Sequence, residues 1–254
     1  MTNSTRSRRK HPKTAATASI LFALSLLTAL LFVLSGYGYQ WEIWQLGTAF
    51  TILTYSAYAA IGLVLINLVA LFFIRKRLMR KGFRQMLTAI LLTLAVTGTA
   101  YYWQNEARQY PPIHDITTDI ENPPAFDAIV SLRAEAPNPP EYAGEETAQT
   151  QREAYPDLGS LTTNLSPDEV FNAVVALVED RGWSLAQADQ QNGIVEATEK
   201  MAWFGFEDDV VIRVEATESG TRVDMRSKSR IGRGDLGVNA HRIRTFLSDL
   251  EESL

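Results

Sequence analysis

The residues of this chain whose types and spacing most suggest chemistry are five arginines. Arg226, Arg230, Arg233, Arg242 and Arg244 gather around the segment Gly232-Arg-Gly234-Asp235 and the helix expected after it. Guanidinium groups converging on the loose amides of a helix start can hold a phosphate or a carboxylate. Two glycines flank Arg233 and a third stands at Gly237, permitting close approaches that a bland connection would not require. In this reading Asp235 caps the helix and Asp208, Asp209 and Asn239 support the site. Arg226, Arg230, Arg233 and Arg242 then face an anionic ligand or a partner. The rival reading is internal pairing of the same arginines with Asp208, Asp209, Asp235 or the acidic segment upstream.

Acid–base or metal-assisted chemistry would fall on Asp208, Asp209 and Asp235. Their spacing does not single it out, because neighbours in a strand point to opposite faces. His11, His114 and His241 have no motif around them, and the absence of cysteine removes thiolate nucleophiles, Cys-ligated metals and disulfides. Oxygen side chains alternate at Asp115, Thr117, Asp119 and Glu121, but a calcium loop needs Gly and a bidentate acid where Ile120 and Phe126 stand. No catalytic residue, metal ligand or cofactor is assigned. The expectation is a binding module and not an enzyme; the alternative is a membrane-anchored, metal-dependent hydrolase using Asp and Glu.

The elements that must position these residues follow a sharp change of composition. Up to Trp103 the chain has eleven Lys or Arg against the single acid Glu42; beyond it, thirteen against twenty-eight. The first part holds three uncharged apolar runs, at about 15–37, 50–74 and 86–103. The third, from Met86 to Trp103, is just long enough to cross roughly 30 Å of hydrocarbon as a helix. Gly38 to Ala49 lacks Lys and Arg and carries Tyr39, Trp41 and Trp44, whereas the short loop after the second run packs Arg75, Lys76, Arg77, Arg80, Lys81 and Arg84. Basic loops stay cytoplasmic, so the expected arrangement is a cytoplasmic N-terminus and an extracytoplasmic domain beyond Trp103, in the cell (inner) membrane. A cleaved signal peptide is the rival for the first run, which is long for one and is not followed by Ala-x-Ala. Asn67, deep in the second run, is expected to hydrogen-bond a neighbouring helix.

Residues 104–165 hold eight of the ten prolines, and an extended, proline-rich strap without regular core elements is expected. From Ser166 to Leu254 the pattern is helix, four strands, helix. Ser166, Pro167 and Glu169 make a capping box. Strands are expected at Ser184–Ala188, Ile194–Met201, Asp208–Ala216 and Thr221–Ser229, with a last helix from about Leu236. For the final hairpin, opposite-charge pairing selects the register that sets Arg213 against Asp224, Glu215 against Arg222 and Asp209 against Lys228. Its charges then form a solvated ladder, the other face packing on the two helices. The aromatic loop Trp203, Phe204 and Phe206 is expected to plug the core. The fold class is α+β: three membrane helices, then a four-stranded antiparallel sheet with two helices on one face.

Ile113-His-Asp115-Ile-Thr-Thr118, Asn122-Pro-Pro124, Tyr155-Pro-Asp157, Ile194-Val-Glu196-Ala-Thr198 and Phe204-Gly-Phe206 resemble domain of unknown function family 1499. So do Asp208-Asp209-Val-Val-Ile-Arg213, Arg226-Ser-Lys-Ser-Arg230-Ile-Gly232 and Gly234-Asp235-Leu-Gly237-Val-Asn239-Ala-His-Arg242-Ile243. The resemblance covers most of residues 111–250 and implies an envelope-associated domain frequently preceded by membrane helices; no activity comes with it. The expected partners are the lipid bilayer and an envelope protein or anionic small ligand. Nucleic acid is excluded by the acidic domain and its expected position across a membrane.

Overall fold

The computed structural model describes residues 12–254, so the basic tail with Arg6, Arg8, Arg9, Lys10 and His11 lies outside the described residues. Two compact units divide between Asn105 and Glu106.

The first unit is built from three helices long and apolar enough to cross a membrane: α1 (Pro12–Gln40), α2 (Leu46–Ile74, continued by a 3-10 turn at Arg75–Arg77) and α3 (Arg80–Gln109), whose last turn, from Glu106, belongs to the second unit. The basic connection is tighter than its sequence suggests, since α3 already begins at Arg80. Ala18 and Leu21 of α1 pack with Met86 of α3 and with Ala70, Leu71 and Leu78. Asn67 is fully buried and donates its side-chain amide to Ser25 Oγ at 3.0 Å, the interhelical hydrogen bond expected of it. Trp44 folds back on α1, its indole N–H reaching the Ser35 carbonyl at 3.0 Å. A Cβ at Gly38 would sit 2.1 Å from the Trp44 ring, so only glycine admits this contact.

The second unit carries an antiparallel sheet of six strands rather than four. Its central strands are β3 (Ser184–Asp189), β4 (Ile194–Lys200), β5 (Glu207–Thr217) and β6 (Gly220–Ser229), in the order β6-β5-β4-β3. Two strands of three residues, β1 (Asp115–Thr117) and β2 (Leu161–Thr163), share the outer edge of β6, at opposite ends of it. The last hairpin has the register expected from charge, with Arg213 opposite Asp224, Glu215 opposite Arg222 and Asp209 opposite Lys228.

One face of the sheet packs on α5 (Pro167–Asp180) and α6 (Val238–Ser253). In α5 the capping box forms as expected, and Val170, Phe171, Val174 and Val178 turn inward at helical spacing. They meet Val210, Ile212, Val223 and Met225 from the sheet and Ile243, Phe246 and Leu250 from α6. Burying each such side chain contributes about 1.5–3 kcal/mol. Trp183 stacks on Phe246 at 5.4 Å.

The other face is where the structure departs most from expectation. Residues 104–165 are not a strap without core elements: they include the end of α3, β1, a 3-10 turn at Ala128–Arg133, the helix α4 (Glu145–Ala154) and β2. Phe126 and Ile129 of this segment pack on Val211, and Arg133 lies in the covered layer. In α4, Gln151 closes the open edge of β1, accepting from Thr117 N at 3.1 Å and donating to Thr117 O at 2.6 Å, as a further strand would. The charged ladder is therefore enclosed at its Asp209–Lys228 and Asp224 positions, while its Glu215–Arg222 rung keeps contact with solvent.

Candidate functional site

Three of the four candidate arginines are spent on internal partners. Alternation along β6 sends Arg226, Lys228 and Arg230 to the covered face and Ser227 and Ser229 toward α6. Arg226 is 2 % exposed and grips Asp115 with two prongs, Nε–Oδ1 at 2.8 Å and Nη2–Oδ2 at 3.0 Å. It also donates to the carbonyls of Pro124 and Pro140 and lies 4.8 Å from the centre of the Phe126 ring. Lys228 adds a second cation to Asp115 at 3.0 Å, and burial pulls its ammonium below the ordinary lysine range despite that carboxylate. Tyr142 lies beside this cluster, its hydroxyl pushed up to about 12 by burial and by Asp115.

Arg230 holds Asp209 with Nε and Nη2, both at 2.8 Å, and also pairs with Glu207 and Thr198. Asp209 is fully buried and receives a second guanidinium, Arg133, at 2.6 Å. The neighbouring Asp208 points to the opposite face, as strand alternation requires. There it meets Arg242 of α6 at 2.7 Å. Arg242, 4 % exposed, also pairs with Glu199 and donates to Ser227 and Asn239. Asn239, fully buried, joins the layer through Ser227 and Ser229. The expectation that these arginines stay free for a ligand is corrected for Arg226, Arg230 and Arg242: the internal carboxylates that could have been their partners are their partners. Arg244, outside the four, pairs with Asp157 over the Tyr155 ring.

Arg233 is different. It is exposed, and among the described residues no carboxylate stands within ion-pair distance of it. The turn that carries it is as constrained as its glycines suggest. Gly232 has φ 103° and Gly237 φ 76°, and a Cβ on Gly237 would meet the Tyr110 ring at 2.6 Å. A Cβ on Gly234 would come within 3.0 Å of Pro112 Cα. Asp235 N donates to Ile113 O at 3.2 Å, and His114 Nδ1 lies 3.3 Å from the Arg233 carbonyl. Asp235 caps α6, accepting from Gly237 N and Asn239 N at 2.9 Å each; burial raises its carboxyl above the usual range against those amides. Leu236 adopts φ 56° and is 42 % exposed.

Residues outside the candidate set do much of the positioning. Fully buried Glu196 accepts three backbone amides, Asp127 at 2.8 Å, Ala128 at 3.1 Å and Ile129 at 3.0 Å, and so caps the 3-10 turn from the sheet. Arg133 and Asp115 were invisible as partners because nothing local marks a pairing made across the fold. His241 is exposed. Phe204 is buried and stacks with Phe206 at 5.1 Å, while Trp203 and Phe206 are partly covered. A shallow depression between the start of α5 and the β3–β4 turn is lined by Asp168, Asn192 and Glu215, at the hairpin end of the sheet and away from Arg233. Among the described residues no three His, Asp or Glu side chains converge to hold a metal ion.

No curated protein matches this sequence. Residues 115–250, which include β1, the enclosed ion-pair layer and the Gly232–Gly237 turn, match the family described as "Protein of unknown function (DUF1499)". With more than half of its length in that match, the chain belongs to the DUF1499 family.

Proposed function

We propose that this is a multi-pass membrane protein that holds its DUF1499 domain on the extracytoplasmic side of the cell (inner) membrane, as a module that binds an anionic ligand or an envelope protein and does not catalyse a reaction. The observation that carries this reading is the charge around the helices. Six Lys or Arg fall within Arg75 to Arg84, from the 3-10 turn that ends α2 into the first turns of α3, and none within Gly38 to Ala49, which spans the end of α1, the connection and the start of α2. Such a bias keeps the basic segment cytoplasmic and sends α3 outward. Binding is favoured over hydrolysis because Asp208 and Asp209 are neutralised by arginine on opposite faces, whereas Arg233 is open on a constrained turn.

Thermal unfolding of the full chain in lipid nanodiscs tests the binding reading. Inorganic phosphate should raise the melting temperature, and Arg233→Ala should abolish that rise. Stabilisation by a divalent metal alone would overturn the reading in favour of the hydrolase.

A further inference from the structure

The second unit has eleven arginines, and nine of them are ion-paired: Arg133, Arg152, Arg181, Arg213, Arg222, Arg226, Arg230, Arg242 and Arg244. Among the described residues the remaining two, Arg108 and Arg233, have no carboxylate within ion-pair distance. They are 125 positions apart in sequence but belong to segments packed on one another. Arg108 lies in the last turn of α3. The chain after it, Tyr110 to His114, is the surface on which the Gly232–Gly237 turn rests, through Gly237 against Tyr110 and Asp235 against Ile113. The same place exposes apolar surface, with Leu236 42 % and Tyr110 36 % exposed. In a domain this acidic, unpaired guanidinium groups beside exposed apolar side chains are the combination that suits a phospholipid surface.

Chain length says which surface. The uncharged run of α3 ends in Tyr101, Tyr102 and Trp103, the ring types that settle at headgroup depth. Tyr110 follows Trp103 by seven residues, a tether that spans at most ~25 Å fully extended and ~10 Å as helix. Building on the membrane reading above, we propose that Arg233 and Arg108 bind the phosphates of the bilayer that α3 crosses, with Leu236 and Tyr110 entering the headgroup layer. The bulk of the domain is acidic and is repelled by an anionic surface, but that repulsion is screened beyond about 8 Å at physiological salt. Two arginines at the contact then set which end of the domain turns to the lipid.

The absence of cysteine makes the test clean. Leu236→Cys and Ser219→Cys are each labelled with a nitroxide in the full chain, reconstituted in nanodiscs of phosphatidylethanolamine and phosphatidylglycerol. Ser219 sits in the turn at the far end of the ten-residue β6, roughly 33 Å from the Arg233 end. A nickel chelate on the lipid headgroups should relax the label at 236 several-fold more than the label at 219. Charge reversal by Arg108→Glu with Arg233→Glu should erase the difference. Equal relaxation at the two sites, or a difference that survives charge reversal, would overturn the proposal. A phosphate-induced stabilisation that needs Arg233, without headgroup proximity at 236, would also overturn it, assigning the turn to a soluble anion. Release of the chain from membranes by alkaline carbonate would sink the membrane reading itself; retention with a remote 236 label sinks only this inference.

Discussion

Arg226 and Asp115 meet in a two-pronged ion pair, Nε–Oδ1 2.8 Å and Nη2–Oδ2 3.0 Å, with both side chains almost wholly buried and 111 positions between them in sequence. The pair fastens β1 to β6 and, through the carbonyls of Pro124 and Pro140, draws the proline-rich segment over the sheet. Removing one partner strands the other charge out of water. Asp115→Ala should therefore destabilise the second unit by about 3–5 kcal/mol. Replacing both, as Asp115→Leu with Arg226→Met, should recover part of that loss. Denaturant unfolding of the full chain, followed by the fluorescence of the second unit's tryptophans, would show it; a single variant as stable as the native protein would contradict the account.

Arg230 and Arg233 are three positions apart and should behave oppositely. Arg230 closes on Asp209, Glu207 and Thr198, so Arg230→Ala should cost about 2–4 kcal/mol by leaving a buried carboxylate less well paired. Arg233→Ala should fall within about 0.5 kcal/mol of the native stability, as exposed, unpaired positions do. Matching losses at both positions would make Arg233 an internal strut.

Glu196 holds the amides of Asp127, Ala128 and Ile129 from within the sheet. Glu196→Ala leaves those donors unsatisfied, at about 1–3 kcal/mol each where water cannot reach. Hydrogen exchange should accelerate first at residues 127–133, ahead of the α5 and α6 amides. Glu196→Gln, which keeps one acceptor, should fall between the two.

Asp119 makes the ion-pair layer sensitive to acid. Burial pushes its carboxyl up, but the Asn122 amide and the guanidinium groups of Arg222 and Arg213 together pull it below the ordinary value of 3.8. A carboxylate whose folded value is depressed contributes stability that is complete above its unfolded value and is lost as pH falls through the lower folded one. Melting temperature against pH should therefore drop on the acid side, and Asp119→Asn should lower the plateau at neutral pH while flattening that drop. An unchanged acid limb would mean that Asp119 is not among the groups that set it.

How much of this was legible in the sequence depends on distance along the chain. The β5–β6 register was readable because Arg213 and Asp224, or Asp209 and Lys228, are brought together by one tight turn whose alternatives oppose like charges. The cap on α5 was readable because Ser166 and Glu169 are neighbours. The cover over the charged face was not. β1 and β2 are three residues each, too short to show alternation, and the prolines around them mask α4 and the 3-10 turn. Arg133 finds Asp209 across 76 positions, and no local pattern marks such a pair. For the candidate site, the constraint on the Gly232–Gly237 turn was visible in its glycines, whereas the fate of each arginine depended on that hidden cover.

The most direct measurement of the central claim is the side of the membrane on which the DUF1499 domain lies. Alkaline phosphatase, active only outside the cytoplasm, is fused after Leu254, and a fluorescent protein that matures only inside is inserted between Leu78 and Met79. The account predicts high phosphatase activity from the first fusion and bright fluorescence from the second. A silent phosphatase after Leu254, with fluorescence recovered when the fluorescent protein is moved to that position, would contradict it.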